Sequence, residues 1–188
     1  MMPPRFRLAG PADIDAVVAL VESAYRGEPS RQGWTTEADL LEGQRTDVDE
    51  VAADLTRSGS AVLLAEDPGP QSVDSPPILL ACCHIERRVG GSCYFGLFAV
   101  RPTHQGRGIG RAVVAEADRI AGEWGCVDLR MQVIRQRGDL IAWYQRLGFR
   151  PTGETVPFPY GDERFGRPKR HDLQFVVLAR RILAQPRQ

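Results

Sequence analysis

Residues 94–121 read YFGLFAVRPTHQGRGIGRAVVAEADRIA. An apolar run ends at Val100, Pro102 breaks it, and glycines at 106, 108 and 110 lead into apolar residues at helical spacing. The segment therefore reads as a strand, a glycine-rich turn and a long amphipathic helix. The first turn of a helix leaves backbone N–H groups without partners, and the helix dipole adds partial positive charge there. Glycines let such a backbone approach an anion closely, so the turn from Gln105 to Gly110 is a ready seat for a phosphate or pyrophosphate.

Two familiar phosphate loops do not fit. A P-loop carries a Lys-Ser/Thr pair after its last glycine, where this chain has Arg111-Ala112. A dinucleotide loop needs a different glycine spacing. The pattern that fits is Gln/Arg-x-x-Gly-x-Gly/Ala. Together with the strand end Leu97–Val100, Arg101-Pro102 and the helix that follows, it resembles the acyl-CoA pyrophosphate loop of the GNAT superfamily of N-acetyltransferases. A second segment, LIAWYQRLGF at 140–149, resembles the aromatic helix of that family, which ends in Tyr-x-x-x-Gly-Phe. The resemblance is strong over 94–149 and extends to the whole chain in the order of elements. Residues 25–46, YRGEPSRQGWTTEADLLEGQRT, are similar to a microbial subgroup of unknown acceptor.

The resemblance implies acetyl-CoA as co-substrate; the spacing of His and Cys leads to the expectation of no metal. It implies that Phe98, Ala99 and Val100 pair with the pantetheine arm and supply an N–H to the developing oxyanion. The backbone of Gln105, Gly106, Arg107, Gly108, Ile109, Gly110 and Arg111 would hold the pyrophosphate, with Arg107 or Arg111 adding charge. Tyr144 takes the role of the acid that protonates the leaving thiolate. The attacking amine must be neutral, so a base is needed. Many relatives use a carboxylate on the central strand, but residues 92–98, SCYFGLF, contain none. Glu86, His84 and Glu37 are the candidates, with a water chain as their rival. A second departure is Arg137, which stands where many relatives have a cofactor-contacting Asn.

Composition and pattern bound the remainder of the chain. A length of 188 residues with 43% hydrophobic and 26% charged residues suggests a single domain, 1–188, with a sizeable core. The formal net charge of zero argues against nucleic acid as a partner. The start of the chain lacks the apolar run of a signal peptide, and no window is long and apolar enough to span a membrane. Cys82, Cys83, Cys93 and Cys126 form no Cys-x-x-Cys pair and read as buried free thiols in a reducing cytoplasm. His84, His104 and His171 show no zinc-ligand spacing to them.

In chain order, 6–8 is a short strand, and Asp13 opens a helix whose stripe is Ile14, Val17, Val18, Val21 and Tyr25. Residues 26–46 are polar. They read either as a surface loop with a short helix from Thr36 to Glu42, anchored by Trp34, or as an acceptor-site wall. In the second reading Trp34, Glu37 and Arg45 face the substrate. Val48–Arg57 is a helix, 61–65 a strand, 66–77 a proline-rich loop expected to be mobile, and 78–86 a strand. After the central helix come a strand at 126–134, a helix at 140–147 capped by Asp139, a strand at 149–155, a loop at 156–169 and a last strand at 171–178. The loop 156–169 is the second expected wall of the acceptor site. This order predicts an α+β (mixed α/β) fold with about seven mostly antiparallel strands and about four helices around one mixed sheet.

The expected function is transfer of the acetyl group to a primary amine, with a small molecule favoured over a protein lysine or N-terminus. The alternative from another class is an acyl-CoA-binding sensor without turnover. Either a monomer or a homodimer is compatible with the sequence.

Overall fold

Apolar runs separated by glycine-containing reversals have one economical solution, which is to pair side by side and bury both faces under helices. The computed structural model describes residues 3–69 and 77–182. Its elements in order are β1 (Arg5–Leu8), α1 (Ile14–Tyr25), the single turn α2 (Gly27–Ser30), β2 (Leu41–Glu42), α3 (Val48–Thr56), β3 (Ser60–Glu66), β4 (Leu79–Arg87) and β5 (Ser92–Val100). There follow α4 (Ile109–Glu123), β6 (Asp128–Ile134), α5 (Gly138–Arg146), β7 (Arg150–Pro157), β8 (Arg167–Pro168) and β9 (Gln174–Arg181). Seven strands form one sheet in the order β1-β3-β4-β5-β6-β9-β7, and β2 pairs with β8 in a separate ribbon. Every pairing is antiparallel except β5 with β6. The fold is thus α+β, as expected.

Helices α1 and α3 cover one face of the sheet. Val17, Val21 and Val51 pack there against Val62, Leu64, Leu97 and Ala99. Helices α4 and α5 cover the other face, where Ile109, Val113 and Tyr144 meet Phe95, Phe98 and Leu129. The two faces are reconciled by a bulge. Between the pairs Cys82↔Ala99 and His84↔Gly96, β5 carries one extra residue, and Leu97 adopts a φ of 44°. A bulge shifts the alternation of side chains by one position. It therefore places Phe95 and Phe98 on the same face, with ring centroids 5.2 Å apart.

The structure corrects several boundaries. Thr36–Glu42 is not a helix; Leu41 and Glu42 pair instead with Pro168 and Arg167. A two-residue strand of this kind depends on its distant partner, and local propensity does not show it. The same pairing joins the two expected acceptor loops. Asp139 lies inside the first turn of α5 and grips Arg137, which occupies the N-cap position. Glu66, expected in a loop, ends β3 as a buried carboxylate held by Arg7 at 2.7 Å. The loop 66–77 lies outside the described residues from 70 to 76. All four cysteines are buried and unbridged.

Candidate functional site

Strands β5 and β6 pair only through Ser92–Tyr94 and Asp128–Arg130. Beyond that point they diverge, so the edge of β5 that faces β6 has no strand partner at Phe98–Val100. The exposed backbone groups of such an edge accept an extended chain as an added strand. Two carbonyls there are already engaged by side chains. The Tyr25 hydroxyl donates to the Phe98 carbonyl, and Gln105 Nε2 donates to the Val100 carbonyl at 3.0 Å.

The turn that follows is open at its surface. Gly106 and Gly108 have φ of 76° and 82°, and nothing lies within 4 Å of the space that a Cβ would fill at either position. Gly108 is the N-cap of α4 and offers no side-chain cap, so the first N–H groups of this 15-residue helix lack an internal acceptor. Arg107 and Arg111 are exposed beside it and have no ion-pair partner among the described residues. Gly110 is packed rather than open: a Cβ there would stand 3.3 Å from the Phe98 ring and from Trp143. A pyrophosphate on the amides, with a pantetheine arm along β5, fits these features.

On the far side of the gap, α5 presents Trp143 and Tyr144. The Tyr144 ring lies 6.4 Å from that of Phe98, 5.0 Å from Trp143 and 5.5 Å from Phe149. Burial, and then the neighbouring Tyr25, hold its phenol protonated well above the ordinary range. The phenol thus keeps a proton to give at neutral pH.

The candidate acceptor residues separate into near and far. Glu37 receives a 2.7 Å bond from Arg26 on Oε2, its N–H bonds the Tyr25 carbonyl at 3.1 Å, and its charge is felt at both Tyr25 and Tyr144. Arg45 lies over the Tyr25 ring, 5.7 Å from its centroid. Trp34, 40% exposed, tilts onto Trp143 at 5.9 Å. Glu86 is different. It pairs in register with Tyr94, four residues before Phe98, or about 13 Å along the strand at roughly 3.3 Å per residue. Its carboxylate is held by Arg57 at 3.0 Å and Arg88 at 2.9 Å. His84 is buried, bonded to Ser60 Oγ at 2.8 Å, and pushed down to about 4 by that burial.

The sequence gives no sign of the contacts that hold these groups together. Arg137 is 7% exposed and reaches across the gap. It donates to the carbonyls of Thr35 and Thr36 at 2.9 Å each and of Trp34 at 3.1 Å. Gln105 ties the same segment to the glycine turn, since its Oε1 accepts from Trp34 N at 2.8 Å and its Nε2 donates to Thr35 Oγ1 at 2.8 Å. Gly33 is needed here, because a Cβ would stand 2.7 Å from the Gln105 side chain. Tyr25 was read as a core residue of α1; its hydroxyl role leaves no mark in the helical stripe. Arg137 did leave a signal, as the departure from the Asn of many relatives.

Comparison with known proteins agrees with this geometry. Residues 59–151, which contain β5, the glycine turn, α4 and α5, match the model of the acetyltransferase (GNAT) domain. The chain carries a GNAT acetyltransferase domain. It is therefore an acyl-CoA N-acyltransferase, with acetyl-CoA as its co-substrate. No curated protein matches it at the level of sequence. Among solved structures, ribosomal-protein-alanine N-acetyltransferase from Brucella melitensis is 21% identical with a TM-score of 0.66, covering 95% of this chain and 99% of that one. Nourseothricin acetyltransferase is 19% identical with a TM-score of 0.65, covering 97% and 100%. The structure of yncA from Salmonella typhimurium with its cofactor acetyl-CoA is 17% identical with a TM-score of 0.64, covering 100% and 98%. At these identities the likeness concerns the fold. Among the described residues, no group of His, Cys, Asp and Glu is arranged to hold a metal, and no helix is long and apolar enough to cross a membrane.

Proposed function

We propose that this GNAT protein acetylates the primary amine of a small molecule by direct attack in a ternary complex. The observation that carries the proposal is the unpaired β5 edge at Phe98–Val100, which runs straight into the open glycine turn before α4. The edge and the turn together form one continuous track for an extended, pyrophosphate-bearing thioester. The thioester supplies the acetyl group, and the chain supplies position and protons. The amides of residues 105–111 hold the pyrophosphate, helped by Arg107 and Arg111. Backbone N–H groups of Phe98–Val100 polarise the carbonyl.

Tyr144 Oη gives the proton to the departing sulfur, which its burial suits it to do. Glu37 is the carboxylate that the fold brings toward the Tyr25–Tyr144 region, and we retain it as the base; Glu86 is withdrawn behind two arginines. A compact acceptor is favoured because the β2–β8 pairing ties the loops 26–46 and 156–169 together over a cavity of about 600 Å³.

Calorimetric titration with acetyl-CoA tests this reading. Saturable binding by the wild type, lost in a folded Gly108→Glu variant, is the expected result. Absence of binding by the folded wild type would refute it. In a second arm, Tyr144→Phe should leave acetyl-CoA affinity intact and slow transfer about 10²-fold or more, the usual scale of a positioned acid. An unchanged rate would remove Tyr144 from that role.

A further inference from the structure

Arg45 stands between β2 and α3. Its N–H is fixed on Glu22 Oε1, but its side chain has no hydrogen bond or ion pair among the described residues. The residue is half-buried, and its guanidinium nitrogens all keep accessible surface. The guanidinium lies over the ring of Tyr25, 5.7 Å from the centroid. The hydroxyl at the end of that ring donates to the Phe98 carbonyl, where the unpaired edge of β5 begins. Arg45 is therefore one aromatic ring away from the edge on which the thioester is placed.

A second donor stands near it. Phe95 faces α4, so by strand alternation Tyr94 and Gly96 face the side of α1 and Tyr25. The Tyr94 ring lies along the strand: a Cβ at Gly96 would stand 2.2 Å from its hydroxyl. That hydroxyl also has no partner among the described residues, and it too keeps accessible surface. The charge of Arg45 is felt at the phenols of both Tyr94 and Tyr25. Donors half withdrawn from water and left without an acceptor mark a place for an anion. The acids nearby do not fill that role. Glu37 is held by Arg26 at 2.7 Å, and Glu50 accepts from the Thr46 hydroxyl at 3.1 Å. Burial opposes the charge of Arg45, but Glu37, the two tyrosines and Glu50 together hold its pKa above the ordinary range, so the cation persists.

We propose that Arg45, joined by the Tyr94 hydroxyl, binds a carboxylate of the acceptor, and that the acceptor is a small amino carboxylate. Two parallel N–H donors of a guanidinium match the two oxygens of a carboxylate. Gly96 precedes Phe98 by two residues, about 7 Å along a strand, so one short molecule reaches from Arg45 to the thioester. Its amine then comes toward Glu37, whose charge is felt at the same Tyr25 phenol. The inference rests on the reading of residues 26–46 as an acceptor wall and gives that wall a substrate class.

The test uses the whole chain with acetyl-CoA. A mixture of α-, β- and γ-amino carboxylates is offered beside the carboxamide of each, and acetylated products are identified by mass spectrometry. In the best pair the carboxylate should exceed its carboxamide in kcat/KM by roughly tenfold or more, the scale of one charge-assisted hydrogen bond. Arg45→Gln removes the cation from a side chain that bonds nothing in the protein, so the variant should fold. It should lose the preference through KM for the acceptor, while its calorimetric affinity for acetyl-CoA and its melting temperature stay close to wild type. Equal turnover of carboxylate and carboxamide by the wild type, an undiminished preference in Arg45→Gln, or collapse of that variant's fold overturns the proposal. Absence of any acetylated carboxylate while acetyl-CoA binds overturns it as well and leaves the acyl-CoA reading intact. Failure of acetyl-CoA to bind the folded wild type would sink that reading, and this inference with it.

Discussion

Arg137→Met removes the clamp that holds residues 34–36 across the gap. Two nitrogens of Arg137 serve three carbonyls at 2.9–3.1 Å, and Asp139 is gripped at 3.0 Å by Nε and Nη2. Replacing a buried charge with an apolar side chain of similar length is often tolerated, because it also removes a desolvation cost. Here that relief is outweighed, since three backbone carbonyls are left without their donor. A hydrogen bond to a charged group contributes about 1.5–3 kcal/mol, and bonds sharing one side chain are not additive. A loss of about 3–5 kcal/mol is therefore expected, in line with breaking one side of a buried charge cluster.

For a chain of this length, that corresponds to a fall in Tm of roughly 6–20 °C, at about 2–4 °C per kcal/mol. The damage should be local at first. Amide exchange at Trp34 and Glu37, whose N–H groups bond Gln105 and the Tyr25 carbonyl, should quicken by about 10²-fold, while β3 remains protected. Arg137→Lys should recover only part of the loss, because one ammonium cannot span three carbonyls. If Arg137→Met melts within about 2 °C of wild type and exchange at 34–37 is unchanged, the clamp carries no load and the argument fails.

Two further outcomes follow from the packing around β5. His84 is held neutral down to about pH 4, whereas in the unfolded chain it takes a proton near 6.5, so the unfolded state binds more protons between those values. Its contribution is complete above pH 6.5, falls by about 3 kcal/mol as the pH drops to 4, and levels off below that. Asp54 and Glu86 face the ring at 3.4 and 3.9 Å, with Ser60, Arg57, Arg88 and Tyr94 around it. Denaturant titrations of wild type and His84→Asn at several pH values should show this slope in the wild type alone, and parallel curves would contradict it. At Gly96 an added Cβ would stand 2.2 Å from the Tyr94 hydroxyl, so Gly96→Ala must expel that ring. It should cost about 1–3 kcal/mol, and most of that cost should vanish in a Tyr94→Ala background; an equal cost in both backgrounds would mean that the contact is not what matters.

The amino-acid sequence alone determined the strand–turn–helix at 94–121 with its glycine turn, the sheet and the buried cysteines. These depend on periodicity, on glycine at positions of positive φ and on apolar runs, all of which are local properties. The single bulged residue at Leu97 was not legible, because an apolar run reads the same with or without a shift of face. The β2–β8 ribbon joins residues 41–42 to 167–168, and no local pattern announces a partner that distant.

The same holds for the side chains that hold residues 25–37 in place. Tyr25 reads as one more member of a helical stripe, Arg26 carries no signal of its own, and Arg137 stands out only as a departure from the Asn of many relatives. Only the tertiary structure places Tyr25 on the Phe98 carbonyl, buries Arg26 beside Glu37, and sets Arg137 under the carbonyls of residues 34–36. The physical reason lies in the reach of the interactions. Helices and turns are stabilised among neighbours in sequence, whereas a buried cation is held by whatever oxygens the completed fold brings to it.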